Sequence, residues 1–169
     1  MLARWYNAAA VRVVCLAALF GYRPFVEAVH QRALWISANG DFWWHLRTGL
    51  GILQNHALPH TGLYSQSATQ PWMASSWLYD IVVGIGYHVL DLRVLPILAI
   101  FCKLALAVLA FVLAGGLRGR FWTAVLTSAV AQFVLAGVPV LPVYASLLLF
   151  GVELLLLMEA RSKIGRAHV

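Results

Sequence analysis

Residues 94–117 form an almost wholly apolar run whose single charge is Lys103. The hydrocarbon core of a bilayer is about 30 Å thick, and about 20 predominantly apolar helical residues cross it. Lipid offers the backbone no hydrogen-bond partners, so a run of this kind must be helical. Three further stretches meet the same description, at residues 8–22, 121–138 and 143–158. Composition agrees: 62% of the residues are hydrophobic, 11% are charged, and mean hydropathy is +0.82. A soluble domain has about 25% charged residues; here too few remain to solvate a globular surface. These figures exclude a soluble enzyme, a disordered regulator and a nucleic-acid-binding module. The expected fold class is all-α, a polytopic membrane helix bundle whose surroundings are membrane lipid.

The formal net charge of +6 sits mainly at the flanks of these runs. With four spans, Arg4, Arg12, Arg118, Arg120, Arg161 and Lys163 all fall on the cytoplasmic side, as the positive-inside rule requires. Both ends are then inside, and loop 23–93 faces the exterior. Cys15 and Cys102 lie within spans and are expected to be free thiols. Residues 164–169, Ile164-Gly-Arg-Ala-His-Val169, resemble one translated frame of a sequencing adapter. The natural chain is therefore expected to differ beyond Lys163.

Loop 23–93 holds five of the seven tryptophans, with Tyr64, Tyr79 and Tyr87. Trp and Tyr favour the headgroup layer, so this loop is expected to lie against the membrane. Two amphipathic helices are expected within it, at 41–54 and 77–90. In the first, Phe42, Leu46, Leu50 and Leu53 recur at helical steps and would press on the membrane. Asp41, His45 and Thr48 share the opposite face. Asn39 or Gly40 can cap this helix, which puts Asp41 in the first turn, where the helix dipole favours a carboxylate. In the second, Trp77, Leu78, Ile81, Val82, Ile85 and Val89 form an apolar face, and Asp80, Gly84, His88 and Asp91 the other. Such a split suits a helix in the interface plane. A fifth span at 77–90 would also send Arg118, Arg120, Arg161 and Lys163 outside. His45, His56 and His60 match no zinc-ligand spacing, so no metal site is assigned; a divalent metal is left open.

Asp41-Phe-Trp-Trp-His-Leu-Arg-Thr-Gly49, followed by Pro59-His-Thr61, Tyr64-Ser65, Pro71-Trp72 and Trp77-Leu78, resembles a family of bacterial inner-membrane proteins. These are glycosyltransferases of the GT-C type, related to protein O-mannosyltransferases and lipid A aminoarabinose transferases. The patterned match covers about residues 40–80. The resemblance implies a large integral enzyme that moves a sugar from a polyprenyl-phosphate donor to an acceptor outside the cytoplasmic membrane. It requires no cofactor. It also implies that Asp41 is the catalytic acid-base residue, taking the acceptor proton as the hydroxyl attacks the anomeric carbon with inversion. His45 and Arg47 lie in the same string, and Arg47, Arg93 and Lys103 are the cations available to the leaving phosphate. Two positions depart from the family pattern: Ser75-Ser76 stands where His-Glu is usual, and Val138-Pro-Val-Leu-Pro142 where an Arg-Pro-Gln-like string is usual. Asp80 is the nearest carboxylate that can stand in for the glutamate.

Ionisable residues inside a span cost about 2.5–3.5 kcal/mol and call for a partner or water. Lys103 and Glu153 fall at similar depths in parallel spans and are expected to pair. Other readings of the chain are a transporter or channel segment routed past Lys103, Glu153 and Asp80, and a non-enzymatic membrane subunit.

Overall fold

The structure, a computed structural model, describes residues 2–22, 25, 40–61, 71–135 and 142–167. Tyr64-Ser65, Asn39 and Pro139 lie outside them. The described residues are helical apart from turns and one isolated antiparallel bridge, Thr61 to Pro71. The helices are α1 (Leu2–Ala17), α2 (Gly40–Asn55), α3 (Trp77–Leu90), α4 (Val94–Leu113), α5 (Phe121–Leu135) and α6 (Pro142–Ala167). The chain is thus all-α. Two stretches, Trp77–Arg118 and Pro142–Lys163, are long and apolar enough to cross a membrane; Ala8–Tyr22 and Phe121–Leu135 are shorter apolar helices. This is the helical character of a membrane-associated protein.

Two compact units are present, residues 1–32 with 99–169, and residues 33–98. In the first, α1 ends in a π-helical turn, Ala18–Tyr22. Its Cys15, Leu16 and Phe20 pack on Phe111, Phe121 and Ala124. Phe20 meets Phe111 edge-on at 5.8 Å, and Phe111 meets Phe121 at 6.0 Å. The Arg12 guanidinium lies 5.3 Å from the centre of the Phe121 ring, at the start of α5. Further along both helices, Gln132 Nε2 donates to the Leu19 carbonyl at 2.9 Å. Helices α1 and α5 therefore run parallel. Helix α4 runs antiparallel to α5, since Phe111 meets Phe121 while Ser128 Oγ donates to the Ala107 carbonyl at 2.8 Å. The turn between them is set by Gly115 and Gly119, at φ 84° and 88°, values that other residues adopt only with strain. Cys15 and Cys102 are free thiols.

Helix α6 begins at Pro142, whose fixed φ suits a first helical position. Tyr144 is fully buried and its hydroxyl donates to the Leu135 carbonyl at 3.0 Å. Gly151 turns toward Leu109, and any side chain there would strike the leucine. This contact fixes the helical phase and corrects one expectation. Glu153, two residues and about 200° further round, is exposed, while Lys103 is buried. No Lys103–Glu153 ion pair forms among the described residues. Similar depth does not make a pair when the two side chains face different ways.

In the second unit α2 and α3 pack as a hairpin. Helix α2 stops at Asn55 because His56 takes a left-handed conformation, φ 50°. Helix α3 stops at Asp91, whose positive φ of 51° breaks the helix and whose N–H bonds the Tyr87 carbonyl. Asp91 thereby divides the long apolar stretch, and a 3-10 turn, Asp91–Arg93, leads into α4.

Candidate functional site

Phe42, Leu46 and Val83 form a buried cluster with Leu95, and Leu50, Tyr79, Tyr87, Leu92 and Leu98 pack around it. Phe42 and Leu46 were expected to press on the membrane; instead they face α3. The helix period was read correctly, but the nearest apolar surface is protein.

The approach of α2 to α3 depends on glycine. A side chain at Gly49 would collide with the Asp80 carbonyl. At Gly84 an added Cβ would lie 3.0 Å from Leu53 Cδ1 and 3.1 Å from the Gly49 carbonyl carbon. Small residues let two backbones come together in this way at membrane helix interfaces. Consequently the face of α3 that carries Asp80 and Gly84 is the buried one. Trp77, Leu78, Val82, Ile85 and Val89 remain exposed. The hairpin thus buries Asp80 and two glycines beside Phe42, Leu46 and Val83, and leaves the Trp77 face of α3 exposed.

Burial of Asp80, which is 4% exposed, requires a partner, since an unpaired carboxylate in an apolar setting is costly. His45 supplies it: Nδ1 lies 2.6 Å from Asp80 Oδ1. The His45 ring stands edge-on to Tyr79 at 5.3 Å, which further restricts its rotation. A carboxylate can only accept, so Nδ1 carries the hydrogen, and when the ring is neutral its lone pair is on Nε2. The His45 side chain is 17% exposed, open to the face on which Asp41 precedes it by one turn. Asp41 itself is exposed in the first turn of α2.

The turn-rich segment after α2 is tied to the same helix. Trp72 N–H donates to the His60 carbonyl at 2.8 Å, beside the Thr61–Pro71 bridge. The Trp72 ring packs edge-on against Trp44 at 5.6 Å. Pro59-His-Thr61 and Pro71-Trp72, distant from Trp44 in sequence, thus converge on the tryptophan pair of α2.

Of the residues singled out from sequence, Asp41 and His45 share one face of α2. Arg47 is exposed elsewhere on that helix, and Arg93 is exposed in the 3-10 turn. Lys103 and Glu153 belong to the other unit. No group of three or more potential metal ligands occurs among the described residues. Asp80 is the residue that sequence reasoning undervalued. Its signal was present: Asp80 and Gly84 form a small, polar stripe, and in a helix with an apolar outside that stripe is the packing face. No family model matches the chain, and no curated protein or solved structure is detectably similar to it.

Proposed function

We propose that this chain is part of an inverting, integral-membrane glycosyltransferase of the GT-C type. It would move a sugar from a polyprenyl-phosphate donor to an acceptor on the outer face of the cytoplasmic membrane. The observation that carries the reading is the Asp41 face of α2: an exposed carboxylate at a helix N-terminus, one turn before a histidine held by a buried aspartate. A general base needs an accessible carboxylate of this kind. Asp41 accepts the hydroxyl proton of the acceptor, and His45, Arg47 and Arg93 are the substrate-contacting residues of the same unit.

The helix directions support the accompanying topology. Because α1 and α5 are parallel, an odd number of crossings must separate them. Helix α4 alone satisfies this; α3 as one additional span does not. The resulting four spans, α1 and α4 to α6, put Arg12, Arg118, Arg120, Arg161 and Lys163 on the cytoplasmic side and the α2–α3 hairpin outside. The exposed apolar face of α3, led by Trp77, suits contact with the membrane interface.

The test is Asp41→Asn in the full-length protein, reading release of polyprenyl phosphate from a panel of polyprenyl-phosphate hexoses and pentoses. Transfer is expected to fall by about 10²–10⁴-fold with membrane insertion unchanged. Undiminished transfer by this variant removes Asp41 from the mechanism.

A further inference from the structure

We infer that His45 is a proton acceptor of the site, and that Asp80 is the residue that positions it. This rests on the glycosyl-transfer reading and adds to it a second proton-handling group. Three observations converge. The Asp80 carboxylate holds Nδ1 at 2.6 Å and is itself almost wholly buried. Gly49 admits the Asp80 backbone so closely that the carboxylate has a fixed origin. The ring is left partly exposed on the face of Asp41, and no partner for Nε2 occurs among the described residues.

A contact that only joined two helices would need neither the exposed Nε2 nor its placement beside Asp41. The helices of the other unit show the simpler solution, in which Ser128, Gln132 and Tyr144 donate to backbone carbonyls. At His45 the hydrogen on Nδ1 is committed to Asp80, so in the neutral ring it is Nε2 that is left to accept. In the transfer step, the acceptor oxygen forms its bond to the anomeric carbon. The bond from that carbon to the phosphate oxygen breaks, and its electron pair leaves with the polyprenyl phosphate. The hydroxyl proton passes to the Asp41 carboxylate and from there to Nε2 of His45. The imidazolium that results is held by Asp80, as an aspartate holds the histidine of a hydrolase triad. Water then takes the proton before the next turnover.

His45→Gln separates this role from a structural one. A glutamine amide can still donate to Asp80 but cannot accept a proton, so the hairpin bond has a replacement and the chemistry does not. Transfer from the same donor panel is expected to fall by about 10²-fold or more, with the hydrogen exchange of α2 unchanged. A structural role predicts near-normal transfer by His45→Gln. The second measurement needs no substrate and no variant that alters packing at the ring: diethyl pyrocarbonate modification of the full chain in proteoliposomes, followed by peptide mass spectrometry. His45 is expected to react despite its partial burial, with exposed His56 and His60 as internal references. Asp80→Asn is expected to slow His45 several-fold and to leave the references unchanged. An inert His45, or one indifferent to Asp80→Asn, overturns the inference. Loss of transfer in Asp41→Asn with full transfer in His45→Gln overturns it too, while the glycosyltransferase reading survives. The opposite pattern keeps His45 and removes Asp41 as the first acceptor.

Discussion

The α2–α3 hairpin and the bundle formed by α1, α4, α5 and α6 both use buried polar groups between helices, but to different ends. In the bundle three such groups donate to main-chain carbonyls: Ser128 to Ala107, Gln132 to Leu19, Tyr144 to Leu135. These bonds close on themselves and hold apolar helices in register. In the hairpin the bond runs between two ionisable side chains, His45 and Asp80, and one of them keeps an exposed nitrogen. The bundle also fills its interface with Phe20, Phe111 and Phe121, whereas the hairpin combines Phe42, Leu46 and Val83 with a close backbone approach at Gly49 and Gly84. Large apolar groups can stabilise a contact anywhere along a helix. Glycines stabilise it only by bringing something else close, here the Asp80 backbone. The hairpin is thus the region to which the proposed chemistry is assigned, and the bundle the region of simpler helix-to-helix contacts.

The sharpest way to break this contrast is Gly49→Val. Its side chain would collide with the Asp80 carbonyl, a main-chain atom that cannot turn aside. Overpacking typically costs about 1–3 kcal/mol and sometimes more; a clash with backbone belongs at the upper end. Separation of the helices should also release the His45–Asp80 bond. Denaturant titration in detergent micelles, with hydrogen exchange across α2, reads both effects. Gly40→Ala is the control: nothing lies within 4 Å of its added Cβ, so its effect should stay within about 1 kcal/mol. Equal tolerance of the two changes would mean that the close approach is not what holds the hairpin.

How much of this was legible beforehand depends on which physical signal was asked. The existence of the helices at 41–54 and 77–90 followed from apolar periodicity, and the helices run Gly40–Asn55 and Trp77–Leu90. The surface that each face meets did not follow. Phe42 and Leu46 are expected on the membrane and instead pack against α3. In α3 the apolar Trp77 side is exposed while the Asp80–Gly84 side is buried, because Gly49 and Gly84 bring α2 onto it. Asp41 was legible as a first-turn carboxylate. Its neighbour pair was not, since His45 and Asp80 are 35 residues apart and meet only through packing. The Lys103–Glu153 expectation failed for a related reason: depth can be counted along a helix, but phase is set by contacts such as Gly151 on Leu109.

A smaller effect sharpens the other side of the comparison. Ser128 is fully buried on α5, and its bond to Ala107 ties α5 to α4. Interhelical hydrogen bonds in membrane proteins average about 0.6 kcal/mol, with a maximum near 1.7. Ser128→Ala removes the donor and leaves Ala107 with its helical bond, so a loss of about 0.5–1 kcal/mol is expected, with transfer activity unchanged. A fall in transfer without a fall in stability would show that the bundle takes part in the chemistry, and the division between the two regions would not hold.

The smallest effect tests the direction of the helices. Arg12 lies over the Phe121 ring with its side chain largely in contact with solvent. At an exposed site such a contact contributes about 0.5–1 kcal/mol. Arg12→Gln should lower bundle stability by that amount, and Phe121→Leu in the same background should add its packing loss but no further coupling. The coupling in this double-mutant cycle is specific to parallel α1 and α5, because in the antiparallel arrangement Arg12 would lie toward the other end of α5. A zero coupling energy would remove the contact that fixes the direction at this end and leave Gln132 on Leu19 as its remaining support. With it would weaken the parity argument for α4 as the single crossing between α1 and α5, and so the proposed external location of the Asp41 face.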